Sequence, residues 1–110
     1  MQDNTKTLTY SRFAIEAVLE TNQEIEDIKS GVETCISKEL NVDKSNVDLI
    51  EFNWYGEDST STMFVTISDV NIDEDDTATD LEKSVYVAVV DNWDGIKNGT
   101  EVKAIDYTVL

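Results

Sequence analysis

Between Asn22 and Leu40 the apolar residues of NQEIEDIKSGVETCISKEL recur at steps of three and four. Ile25, Ile28, Val32, Cys35 or Ile36, and Leu40 then share one stripe of an α-helix. Thr21 stands where a cap belongs, and Glu24, three residues on, completes the pattern of a capping box. Asn41 suits a left-handed helix end. A helix with a single apolar stripe needs one apolar surface to lie on, so the flanking segments must supply a sheet.

From Thr7 to Glu20 two periodicities compete. As a strand, Phe13, Ile15, Ala17 and Leu19 alternate with Arg12, Ala14, Glu16 and Val18. As a helix, Ala14 and Val18 would extend the Ile25/Ile28 stripe backwards. The strand is preferred, because a capping box marks a helix start and a helix of nearly thirty residues is long for so small a domain. Residues 1–5 are polar and read as a loose tail.

After the helix, Val47–Tyr55 reads as a strand with Ile50, Phe52 and Trp54 on one face. Met63–Val70 returns as its hairpin partner, with Met63, Val65 and Ile67 on one face. Residues 71–83 form an acidic loop with a short helical turn at its end. Val85–Val90, the longest unbroken apolar run, reads as a central strand buried on both faces. Asp94-Gly95 and Asn98-Gly99 are turn signals. Val102–Leu110 is the last strand, with Ile105, Tyr107 and Val109 on one face. The expected fold is a single α+β domain over residues 1–110, a two-layer sandwich with one helix on an antiparallel sheet of about five strands (β-α-β-β-β-β). The uncovered sheet face would carry Val18, Phe64, Val70, Tyr86 and Val90, a patch that invites a second copy if the residues adjoin. With no proline in the chain, no edge strand is blunted by that device. Gly31 in mid-helix reads as a point of close approach to the sheet.

Charge narrows the function. Twenty-four acids face eight bases, a net charge of −16, and there is no histidine. Direct binding to nucleic acid or to an anionic membrane is disfavoured, because both depend on Lys and Arg. A basic protein is the natural partner. The single cysteine excludes an intrachain disulfide and a multi-cysteine metal site, and fits a reducing, cytoplasmic setting. The start MQDNTKTLTY lacks the basic and apolar segments of a secretory signal. An enzyme is not expected: the commonest neutral-pH acid–base group is missing, no glycine-rich phosphate loop is present, and no cofactor motif is found. Cys35 falls on the apolar side of the helix and reads as a small core residue.

Asp69, Asn71, Asp73 and Asp80 fall at positions 1, 3, 5 and 12 of a calcium loop. Glu74 stands where that loop needs glycine, so a solvated acidic loop is the better reading and no metal is expected. The strongest anomaly is that residues 45–82 hold eleven acids and no Lys or Arg. Such a run repels itself, and solubility needs far less charge. The expected role is a non-enzymatic inhibitor that presents a nucleic-acid-like negative surface to a basic, nucleic-acid-handling enzyme. Its contact candidates are Glu57, Asp58, Asp73, Glu74, Asp75, Asp76 and Asp80, with Trp93 as an exposed aromatic anchor. Trp54 reads as core, because it continues the Ile50/Phe52 face. In size and acidity the chain is similar in character to phage-encoded inhibitors of host defence enzymes, anti-CRISPR proteins included, with no motif that matches one residue by residue. The alternatives are a self-associating assembly protein and an immunity-type protein that neutralises a basic toxin.

Overall fold

The computed structural model describes residues 4–20, 23–54 and 60–110. They form an α+β fold in which two helices lie on one face of an antiparallel sheet. The elements run β1 (Thr5–Leu19), α1 (Ile25–Leu40), β2 (Val47–Asn53), β3 (Thr60–Ile67), β4 (Val70–Asp73), α2 (Ala78–Tyr86) and β5 (Ile96–Val109). α2 continues through a π-helical turn, Val87–Asp91.

β1 is the spine. The period-two reading of residues 7–20 holds: Phe13, Ile15, Ala17 and Leu19 are buried, while Arg12, Ala14, Glu16 and Val18 on the other face are half-exposed. The strand begins earlier than the loose tail allowed, since Thr5 pairs with Asp73 and the Asn4 carbonyl accepts the Glu74 N–H. β5 pairs along one edge of β1 from Leu8 to Leu19. The other edge is shared. β3 lies opposite residues 11–18, and β4 lies opposite residues 5–8. Ile67 faces Ser11 and Val70 faces Leu8, so both chains advance three residues between these pairs and the register is unbroken. β4 is thus β3 resumed after a kink, where Asp69 takes a left-handed conformation with φ 57°. β2 pairs outside β3. The backbone spans 51 × 21 × 20 Å, and fifteen extended residues at ~3.3 Å each account for nearly all of the long axis.

β2 departs from the expected alternation. Leu49 faces Val65 and Phe52 faces Met63, so a bulge at Ile50-Glu51 inserts one residue. The bulge flips the phase. Val47 and Leu49 are buried on the helix-covered face with Phe52 half-buried behind them, while Ile50 is expelled to the surface. The predicted Ile50/Phe52/Trp54 stripe is therefore split.

β5 carries similar shifts opposite Phe13, Ala17 and Leu19. Ile105 is exposed in one of them, and the core side of β5 is Val102, Ala104, Tyr107 and Val109. Asn98 and Gly99 lie inside this strand rather than in a turn. Repeated bulges protect an edge strand by twisting it and breaking its ladder. They do here what proline does elsewhere.

The second helix overturns the expected strand at Val85–Val90. Thr77 caps it: its hydroxyl accepts the Asp80 N–H, and the Asp80 carboxylate accepts the Thr77 N–H. Leu81, Val85, Ala88 and Val89 are buried. Their spacing of four and three is helical, and a capping box upstream outweighs the β-preference of valine. The layout is β-α-β-β-β-α-β, and the supposed open-face patch dissolves. Tyr86 and Val90 are helical, and Val70 is buried. The uncovered face instead mixes signs. Arg12 stands between Thr66 and Asp106, Ala14 between Phe64 and Lys103, and Glu16 between Thr62 and Glu101. The Arg12 guanidinium lies 4.7 Å from the Phe64 ring centre and 3.6 Å from Glu51.

α1 begins at Ile25 with Glu24 at its cap, and the Glu24 side chain makes no cap hydrogen bond. The Thr21 half of the expected capping box lies outside the described residues. Asn41 closes the helix at φ 55° as expected, and Val42 N–H reaches the Ser37 carbonyl. Ile28, Val32 and Ile36 are buried and Leu40 packs beside them, while Ile25 stays 59% exposed. Glu33 is buried on the β2 flank, where its carboxylate accepts the Leu49 N–H at 2.8 Å and Lys29 at 2.5 Å. Lys29 also reaches Asp48 at 2.5 Å and the Leu49 carbonyl, which ties α1 to the sheet edge.

Candidate functional site

Among the described residues, five of the acids in the 45–82 run are engaged within the fold. Asp48 pairs with Lys29 and Glu51 with Arg12. Glu82 accepts the Ala104 N–H at 2.6 Å, a donor beside the Ile105 bulge. Asp80 completes the α2 cap, and the Thr77 N–H holds its carboxyl below the usual range. Asp76 accepts the Asp73 N–H through its side chain. Its carbonyl accepts Lys6 at 2.6 Å and the Tyr107 hydroxyl at 3.3 Å. Partial burial, with Asp76 and Asp80 nearby, pushes the Tyr107 hydroxyl up.

What remains of the predicted contact set is an ordered, exposed turn. Asp73, Glu74 and Asp75 face solvent where β4 ends, with Asp76 half-buried behind them. The tie from Glu74 N–H to Asn4 and the tie from Lys6 to Asp76 pin this acidic pole to the start of β1. Glu57 and Asp58 lie outside the described residues. The calcium-loop register does not close. Asn71 and Asp73 alternate with buried Val70 and Ile72 along a strand, and Asp80 is turned to its cap. Among the described residues no group of three or more metal-type side chains comes together.

Trp93 is not an exposed anchor. It is buried at 8% exposure, because Gly31 of α1 and Gly95 leave a notch for its ring. A Cβ on either glycine would land on the indole. Gly31 thus admits a side chain from the turn after α2, and not the sheet. The notch is braced by the Gly95 carbonyl, which accepts the Glu20 N–H at 2.9 Å and the Gln23 amide at 2.8 Å. Trp93 also lies far from the acidic pole. Gly95 bonds to Glu20 at the end of β1, while Asp73 pairs with Thr5 at its start. Fourteen strand steps separate those ends, on the order of 45 Å. The structure therefore does not bring Trp93 and the acidic turn together.

The exposed indole is Trp54, at 53%. With Ile25 it walls a groove of about 550 Å³ at the far end of the rod, where β1 and β2 end and α1 begins. Leu19, Ile28 and Phe52 form its apolar floor, and Glu20 and Glu24 sit on its rim. The β2 bulge creates this site. Without the inserted residue, Phe52 and Trp54 would turn to the uncovered face. Cys35 is half-buried, and burial raises its thiol above the ordinary value, which disfavours the reactive thiolate. No helix among the described residues is long and apolar enough to cross a membrane. Compared with family models, curated proteins and solved structures, the chain matches none.

Proposed function

We propose that this protein is a non-enzymatic acidic binding module whose partner is a basic protein surface of the kind that holds nucleic acid. The observation that carries the reading is the density of charge along a rod. A net charge of −16 over 51 Å is one charge per about 3 Å of length. Duplex DNA presents one per ~1.7 Å of axis. The chain thus reaches roughly half the linear density of the ligand that such a groove accepts. The exposed acids Asp73, Glu74 and Asp75 stand on a turn anchored at both ends, so they keep a fixed spacing. Preorganised charge of this kind speeds encounter and selects cationic partners.

The test uses the immobilised chain, challenged with basic proteins at low salt and then with duplex DNA as competitor. The expected result is retention that is lost in high salt and displaced by the duplex. Reversing Asp73, Glu74 and Asp75 to Lys should weaken retention strongly while the fold, followed by circular dichroism, is kept. Retention that survives both the duplex and the triple reversal overturns the proposal.

A further inference from the structure

The groove between Ile25 and Trp54 combines features that bulk charge does not explain. Two large apolar side chains, more than half exposed, face an apolar floor, and the rim carries two carboxylates. Among the described residues that line it there is no Lys or Arg. Exposed apolar surface in a concave site with convergent polar groups is the pattern of a recognition pocket, and tryptophan is enriched where binding energy concentrates. The volume suits one or two bulky side chains, not a whole helix.

From this we infer that the groove receives a basic segment of a partner protein, one that presents a single bulky apolar side chain between Lys or Arg residues. The apolar side chain packs between Trp54 and Ile25, and the flanking cations meet Glu20 and Glu24. A second copy of this chain fits poorly, because its own charge of −16 would approach an acidic rim. The inference rests on the proposed function for its class of partner. It adds that recognition at this end is apolar as well as electrostatic.

Two synthetic peptides of equal length and charge test it. One has a phenylalanine between lysine pairs, and the other has alanine at that position. The phenylalanine peptide should shift Trp54 emission to the blue and bind at least about tenfold tighter, the range expected for burying one aromatic side chain. A W54F variant identifies which indole reports. Ile25→Ser, at an exposed position, should bring the phenylalanine peptide down to the affinity of the alanine peptide without unfolding the chain. Equal affinities, no response from Trp54, or an unaffected I25S variant would each overturn the inference. So would a blue shift that grows with protein concentration alone, which would place a second copy in the groove. The arms separate the two readings. Equal peptides together with a duplex-sensitive, charge-dependent partner would sink the groove and leave the broader function standing. A phenylalanine-selective groove with no charge-dependent retention would sink the broader function and, with it, the basic class of the groove's occupant.

Discussion

The two tryptophans border the same helix and have opposite fates. Trp93 packs on Gly31 of α1, and Trp54 shares a groove with Ile25 and Ile28 of the same helix. One fills a notch cut by two glycines, and the other stands on the rim of an open groove. Their sequence neighbours suggest the reverse. Trp93 sits among Asp91, Asn92 and Asp94, whereas Trp54 ends an apolar strand. An indole is buried when distant elements leave a space of its shape, and adjacent carboxylates do not prevent this if they point outward. Asp91 and Asp94 are exposed around a buried ring.

The largest expected difference comes from truncation. Trp93→Ala should cost about 3–5 kcal/mol in urea unfolding, the usual range for emptying a packed aromatic site. Trp54→Ala should change stability by only about 0.5 kcal/mol in either direction. Equal costs would break the comparison. Gly31→Ala gains about 1 kcal/mol of helix propensity, yet its methyl would meet the indole, so a net loss of about 1–3 kcal/mol is expected from overpacking. In a double-mutant cycle with W93A that loss should largely vanish.

On the β2 flank of α1, Glu33→Ala leaves the Leu49 N–H without its acceptor and should cost about 1–3 kcal/mol in the same assay. This flank also has a pH signature. Asp48 and Glu33 hydrogen bonds raise the Lys29 pKa above 10.5. The stabilisation is therefore complete below 10.5 and is lost as pH climbs through the raised value. The gap between wild type and E33A should narrow there. Asp80 behaves in the opposite sense. Its carboxyl is held below 3.8 by the Thr77 N–H, so its contribution is present above 3.8 and fades as pH falls through the lower folded value. The Tm difference between wild type and D80A should close in strong acid, with both indole emissions unmoved. The smallest effect is expected from Glu101→Lys. Glu101 faces Glu16 across β1 and β5, and replacing that like-charge pair should add a few tenths of a kcal/mol.

The period-three-and-four spacing of Ile28, Val32 and Ile36 and the alternation of Phe13, Ile15, Ala17 and Leu19 were enough to give α1, β1 and the α+β class. Both patterns are local, and burial acts on them in register. The valine run at 85–90 misled because its residues favour strands and its apolar positions are contiguous. The helical cue lay upstream, in Thr77-x-x-Asp80 and in the step from Leu81 to Val85. The groove was hidden for a different reason. Its existence depends on the Ile50-Glu51 bulge, which is fixed by pairing with Val65 and Phe64. No run of β2 residues alone reveals where a partner strand will skip. The acidic pole was legible as composition, but the structural tasks of Asp48, Glu51, Asp80 and Glu82 were not. Each depends on a donor brought from another element.

One strand borders nearly everything. β1 finishes at Leu19, and the partner for its second edge spans Ile96–Val109. Ninety residues separate Leu19 from Val109, which at ~5–20 residues per second of synthesis is roughly 5–18 s. β3 and β4, the partners of its first edge, span Thr60–Ile67 and Val70–Asp73, so during synthesis the strand has first both ladders of N–H and C=O groups open and then one. Such long-range closure also makes for slow folding. A net charge of −16 opposes association between chains whose seam is still unsealed.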